Sequence, residues 1–175
     1  MARTDLIPER FTADVDGEIV VFMIGLRLNK FWKLHRWVPM AREMGPMLRS
    51  LARDPSKGLL GYRQTVGLRN VTFLQYWRSL DHLMRFAHDP GDEHRPAWKR
   101  FNQAAENDAV GLWHETYRVP AGSYEVVYAN MPPYGLAAAT APTPVGRRGD
   151  SARERLAYRK AEVSASVTST AKAGI

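Results

Sequence analysis

The run Val110-Gly-Leu-Trp-His-Glu-Thr-Tyr-Arg-Val-Pro-Ala-Gly-Ser-Tyr-Glu-Val-Val-Tyr-Ala-Asn-Met-Pro-Pro-Tyr-Gly-Leu136 predicts a β-hairpin, and the fold follows from it. Residues 110 to 119 are rich in β-branched and aromatic side chains. Pro120-Ala-Gly-Ser123 supplies a turn, with Gly122 where φ must be positive. Residues 124 to 130 resume the strand pattern, and Pro132-Pro133 ends it because proline cannot donate to a sheet ladder. If the loop is Pro120-Ala121-Gly122, His114 stands opposite Tyr128, Leu112 opposite Asn130 and Thr116 opposite Val126, all on one face. Trp113, Glu115 and Tyr117 take the other face.

Upstream, the chain alternates element types. Residues 18 to 28 are apolar on both parities, which reads as a strand covered on both faces. Residues 37 to 53 have helical spacing through Trp37, Met40, Ala41, Met44, Leu48 and Leu51, with a kink or a division into two short helices expected at Gly45-Pro46. Strands are expected over 59–67 and 71–77. Ser79 can cap a helix carrying Leu80, Leu83, Met84 and Ala87, and a second helix starts near Pro96 with Trp98 and Phe101 on it. Strand, helix, two strands, helix pair, two strands is a split β-α-β arrangement: an α+β, ferredoxin-like antiparallel sheet with helices on one face. The bare face should then be buried by a second copy, giving a homodimer.

The expected organisation is an N-terminal arm over 1–16, one domain over 17–134, and an Ala- and Arg-rich tail over 135–175 that is loosely ordered apart from a short helix that Asp150 to Glu162 could form. The net charge is +7. The tail holds seven cations against three carboxylates, so more than half of the excess lies there, and no nucleic-acid motif accompanies it. With no cysteine, disulfides and thiolate ligation are excluded. No apolar run reaches bilayer length, so the expectation is a cytoplasmic protein with neither a membrane nor a nucleic-acid partner.

Residues 75–88, Gly111-Leu-Trp-His-Glu-Thr-Tyr117 and Tyr124-Glu-Val-Val-Tyr-Ala-Asn-Met-Pro-Pro133, with Leu59-Leu-Gly-Tyr62, resemble the monooxygenase-like family named after a fungal polyketide-pathway oxygenase. The resemblance covers about residues 19 to 135. It implies the dimeric α+β barrel architecture, whose members include cofactor-free oxygenases, haem enzymes such as aldoxime dehydratases, and non-catalytic ligand binders.

Cofactor-free oxygenation of an aromatic or polyketide-like substrate needs an apolar cavity, a base, and a donor for an enolate or phenolate oxygen. His114 is the candidate base, with Tyr128 and Asn130 as donors. Phe73, Trp77 and Trp113 are candidate walls, with Leu112 and Thr116 beside His114. No cofactor is expected. Haem is the alternative, and its axial ligand would come from His82, His88, His94 or His114. His82 and His88 are better explained as ordinary helix histidines, and His35 as a surface residue. The acidic loop around Asp89, Asp92, Glu93 and His94 lacks metal-ligand spacing, so no metal site is expected. A homodimer that only binds a ligand is the non-enzymatic alternative.

Overall fold

A computed structural model describes residues 6–88, 108–146 and 148–173. The helix expected near Pro96, with Trp98, Phe101, Ala104 and Ala105, lies outside the described residues, as do Asp89, Asp92, Glu93 and His94. The chain divides into two compact units, Val20–Tyr117 and the combination of Met1–Ile19 with Arg118–Ile175.

The first unit is built on β2 (Ile19–Leu28), α1 (Leu34–Ala52), β3 (Leu59–Val66), β4 (Asn70–Trp77), α2 (Leu80–His88) and β5 (Val110–Val119). The sheet order is β3-β4-β2-β5, with β4 antiparallel to both β2 and β3. Two strands antiparallel to the same neighbour run parallel to each other, so β2-α1-β3 is a crossover with β4 inserted between its strands. This is the ferredoxin-like split β-α-β arrangement, and the fold class is α+β as expected.

Alternation along β4 sets the faces. Val71, Phe73, Gln75 and Trp77 are buried, whereas Thr72, Leu74 and Tyr76 between them are half-buried. The buried parity joins Val20, Ile24 and Leu26 of β2, Val110 of β5, Met47, Leu48 and Leu51 of α1, and Leu83 of α2 in one core. Helix α1 runs as a single element through Pro39 and Pro46. The expected kink does not divide it, because Met47, Leu48 and Leu51 anchor the turns beyond Pro46 on the sheet. Ser79 caps α2 as expected, its hydroxyl oxygen accepting from the His82 backbone N–H at 3.4 Å.

On the opposite face Gly25 lets the Trp113 indole lie directly on the β2 backbone: a Cβ built at Gly25 would stand 2.7 Å from three indole atoms. Gly25→Val should therefore destabilise the protein by about 1–3 kcal/mol through forced displacement of Trp113. A urea midpoint unchanged from the wild type would show that the ring gives way freely.

The second unit corrects three expectations. The N-terminal arm contains a strand, β1 (Ile7–Ala13), with Phe11, Thr12 and Ala13 buried. The tail is more ordered than expected: the helix over 150–162 extends as α4 (Ala152–Ala173), and α3 (Gly135–Ala139) and β7 (Pro142–Pro144) precede it. The 110–130 hairpin does not pair as a hairpin: β6 (Tyr128–Met131) joins a three-stranded sheet of order β6-β1-β7, with Tyr128 opposite Phe11. The turn itself forms, with Gly122 at φ 73° and the Ser123 N–H donating to the Pro120 carbonyl. Beyond it the chain is taken by β1. The Thr12 hydroxyl donates to the Val126 carbonyl at 2.7 Å, and the Val15 N–H donates to the Tyr124 hydroxyl at 2.8 Å.

Candidate active site

Register brings chemistry-bearing residues into one row across the core-side face of the four-stranded sheet. Phe22 of β2 and Tyr62 of β3 both stand opposite Gln75 of β4. The His114 imidazole of β5 lies beside the Phe22 ring, centroid to centroid 5.9 Å. Three strand spacings carry the row about 14 Å from Tyr62 to His114.

Gln75 is 3 % exposed, a buried amide among Val71, Phe73 and Trp77. Its Oε1 accepts from the Trp77 indole N–H at 2.9 Å. That bond fixes which way the amide faces and satisfies the one polar atom of a tryptophan that is fully buried. Phe22, Tyr62, Leu112, Trp37 and Phe86 are half-buried around the same core, so the row is an apolar floor with an amide, a phenol and an imidazole set along it.

The structure sorts the residues singled out from sequence. Leu112 is on the row's face and half-buried, and His114 and Thr116, of the same parity on β5, are exposed. Phe73 and Trp77 flank Gln75 on the same face of β4 and are, like it, buried in the core. Trp113 is on the opposite face, over Gly25. There the exposed Tyr117 hydroxyl donates to Glu115 at 2.6 Å, and this hydrogen bond raises the Tyr117 pKa.

Tyr128 and Asn130 belong to the other unit, so the hairpin that would have set them opposite His114 is replaced by pairing with β1. The Tyr128 ring stacks on Phe11 at 5.1 Å. Burial raises its pKa, offset by the Ala137 and Leu136 backbone N–H groups donating to its oxygen. Asn130 is exposed with φ 51°, a left-handed position that asparagine tolerates better than most residues.

Two histidines have local partners. The His82 Nδ1 lies 2.7 Å from the Ser79 hydroxyl, and the His88 Nδ1 lies 2.8 Å from the Met84 carbonyl in the last turn of α2. Among the described residues no group of three or more histidine, aspartate or glutamate side chains is placed to hold a metal ion.

Sequence reasoning missed Phe22, Tyr62 and Gln75. The available signal was Gln75 itself, since it shares parity with Val71, Phe73 and Trp77, where a solvent-facing residue has no place.

A second polar cluster lies in the other unit and is fully partnered. Arg148 grips Asp14 with two bonds at 2.8 and 2.7 Å, and Arg159 reaches the same carboxylate at 2.7 Å. The Arg159 guanidinium also lies over the Tyr124 ring and donates to its hydroxyl. Burial pushes the Asp14 pKa up, but the hydrogen bonds and charges of Arg148 and Arg159 together outweigh it and hold the value below the ordinary one. A depressed carboxylate adds stability above the unfolded value of about 3.9 and loses it as pH falls through the lower folded value. The melting-temperature gap between wild type and Asp14→Asn should therefore be full at neutral pH and close below about pH 4. A gap that does not change with pH would contradict the ion pairing.

The family model described as Monooxygenase af470-like matches residues 19–136. Monooxygenase af470 of Aspergillus fumigatus is 29 % identical over 127 residues, which cover 67 % of this chain and 44 % of that protein. This chain thus matches less than half the length of its curated relative. Among solved structures, SnoaB, a cofactor-independent oxygenase from Streptomyces nogalater, is 13 % identical with a TM-score of 0.42, covering 57 % of this chain and 91 % of its own. A dimeric ferredoxin-like protein of unknown function from Bacteroides fragilis is 12 % identical with a TM-score of 0.43, covering 58 % and 95 %. The family match takes in the whole of β2 through β6, including every residue of the Tyr62, Gln75, Phe22 and His114 row, and the chain belongs to the Monooxygenase af470-like family.

Proposed function

We propose that this chain is a cofactor-independent monooxygenase for an aromatic or polyketide-like substrate, working on the core-side face of its four-stranded sheet. The observation that carries the reading is the row itself: an imidazole, a phenol and a buried amide along about 14 Å of apolar floor. His114 takes a proton from an activated methylene or phenol of the substrate. The Tyr62 hydroxyl and the Gln75 amide hold the resulting oxyanion, and Phe22 packs against the rings.

The electron-rich anion reduces dioxygen directly. Carbon and oxygen join as a peroxide, whose O–O bond breaks with loss of the second substrate hydrogen. One oxygen atom stays as a carbonyl and the other leaves as water. The substrate supplies both electron pairs, so no external reductant is needed.

An oxygen electrode tests this with purified protein and an anthrone-type phenol, without added flavin, metal or haem. Enzyme-dependent uptake is expected. Uptake only after haem is added, with a Soret band appearing, would favour the haem-dependent reading, and ligand binding without uptake would favour a binding protein.

The proposed assembly is a homodimer. Val21, Met23, Leu74 and Trp113 on the opposite sheet face stay half-buried in the single chain, an apolar surface that a second copy would cover. Light scattering at micromolar concentration should return twice the 19.8 kDa chain mass. A stable monomer would rule the dimer out.

A further inference from the structure

The turn between β2 and α1 and the turn between β3 and β4 present large apolar side chains to water. Phe31 is 49 % exposed, Trp32 62 %, Leu34 56 % and Leu68 95 %. These side chains are held on a fixed platform. Trp32 meets Phe31 edge-on with centroids 5.3 Å apart, and the Arg69 guanidinium sits 5.5 Å from the Phe31 centroid. The Trp37 indole N–H donates to the Phe31 carbonyl at 3.0 Å, and the Leu28 N–H donates to the Arg69 carbonyl at 2.7 Å, which ties the two turns together. The charge around them has one dominant sign. Among the described residues, Arg27, Lys30, Lys33 and Arg69 lie on or next to these turns, and Asp108 pairs with Lys30 and, at 3.9 Å, with Lys33.

We propose that this end of the unit docks peripherally on an anionic lipid surface. Tryptophan and phenylalanine partition to the boundary between headgroups and acyl chains, and cations flanking them are drawn to anionic headgroups. The described charges argue against a second copy as the occupant, since two such ends bring like charges together. No helix among the described residues is long and apolar enough to cross a membrane, and surface docking needs none. The lack of a bilayer-length apolar run, which underlies the expectation of no membrane partner, does not bear on docking through exposed turns. Docking here would give an enzyme of apolar substrates access to molecules dissolved in a bilayer, and it is independent of the reaction on the sheet face.

Vesicle co-sedimentation of the full chain tests the surface, with phosphatidylcholine vesicles compared with vesicles containing phosphatidylglycerol. Binding is expected to the anionic vesicles only, weakening as salt is raised. Two double variants, Trp32→Ser with Leu68→Ser and Lys33→Glu with Arg69→Glu, should each weaken binding about ten-fold or more. Their melting temperatures and light-scattering sizes should match the wild type. The proposal is overturned if the wild type ignores anionic vesicles, or if both variants bind as it does, which would assign binding to the basic tail. A changed oligomer size in the Trp32/Leu68 variant would overturn it too, by making the patch a protein contact.

Discussion

Replacing Trp77 with alanine should cost about 3–5 kcal/mol and lower the melting temperature by roughly 10 °C or more. The ring is fully buried, pairs with Val20 and Leu59 across two neighbouring strands, and packs on Phe86 of α2 at 5.5 Å. Removing it opens a cavity beside Gln75 on the same sheet face and leaves the Gln75 carbonyl oxygen without its donor. Trp77→Phe separates these effects. It keeps most of the volume but strands the buried carbonyl, and should cost about 1–3 kcal/mol. Chemical denaturation of both variants checks the order, and a phenylalanine variant as stable as the wild type would show that the indole bond contributes nothing.

His114→Ala should lower the rate of oxygen uptake by about 10²–10⁴-fold, with little change in stability because the side chain is exposed. Exposure also allows chemical rescue, so added imidazole should restore part of the rate. Unaltered activity in His114→Ala would remove the base from the proposed mechanism. A loss without rescue, accompanied by a lower melting temperature, would make His114 a packing partner of Phe22 instead.

The split β-α-β class was legible in the order of element types, and the faces of individual strands were legible because alternation acts within one strand. Leu112, His114 and Thr116 share a face, and Trp113 takes the other, as the pattern required. The partner of each strand was not legible. The segment ending in Tyr128 and Asn130 has strand character, but the pattern does not say whether β5 or β1 will pair with it. Long-range polar contacts were equally invisible. The tail reads as solvated because Arg159 is one cation among many. Its burial depends on Asp14 and Tyr124, which lie 145 and 35 positions away. Gln75 was passed over because one glutamine in a strand reads as a surface residue until its neighbours of the same parity are found buried.

The most direct measurement is the fate of isotopically labelled dioxygen supplied to haem-free, chelator-treated protein with an anthrone-type substrate. Mass spectrometry should find one labelled oxygen atom in the quinone product and the other in water. Label absent from the product, or incorporated only after haem or a metal ion is restored, would contradict cofactor-independent oxygenation by this chain.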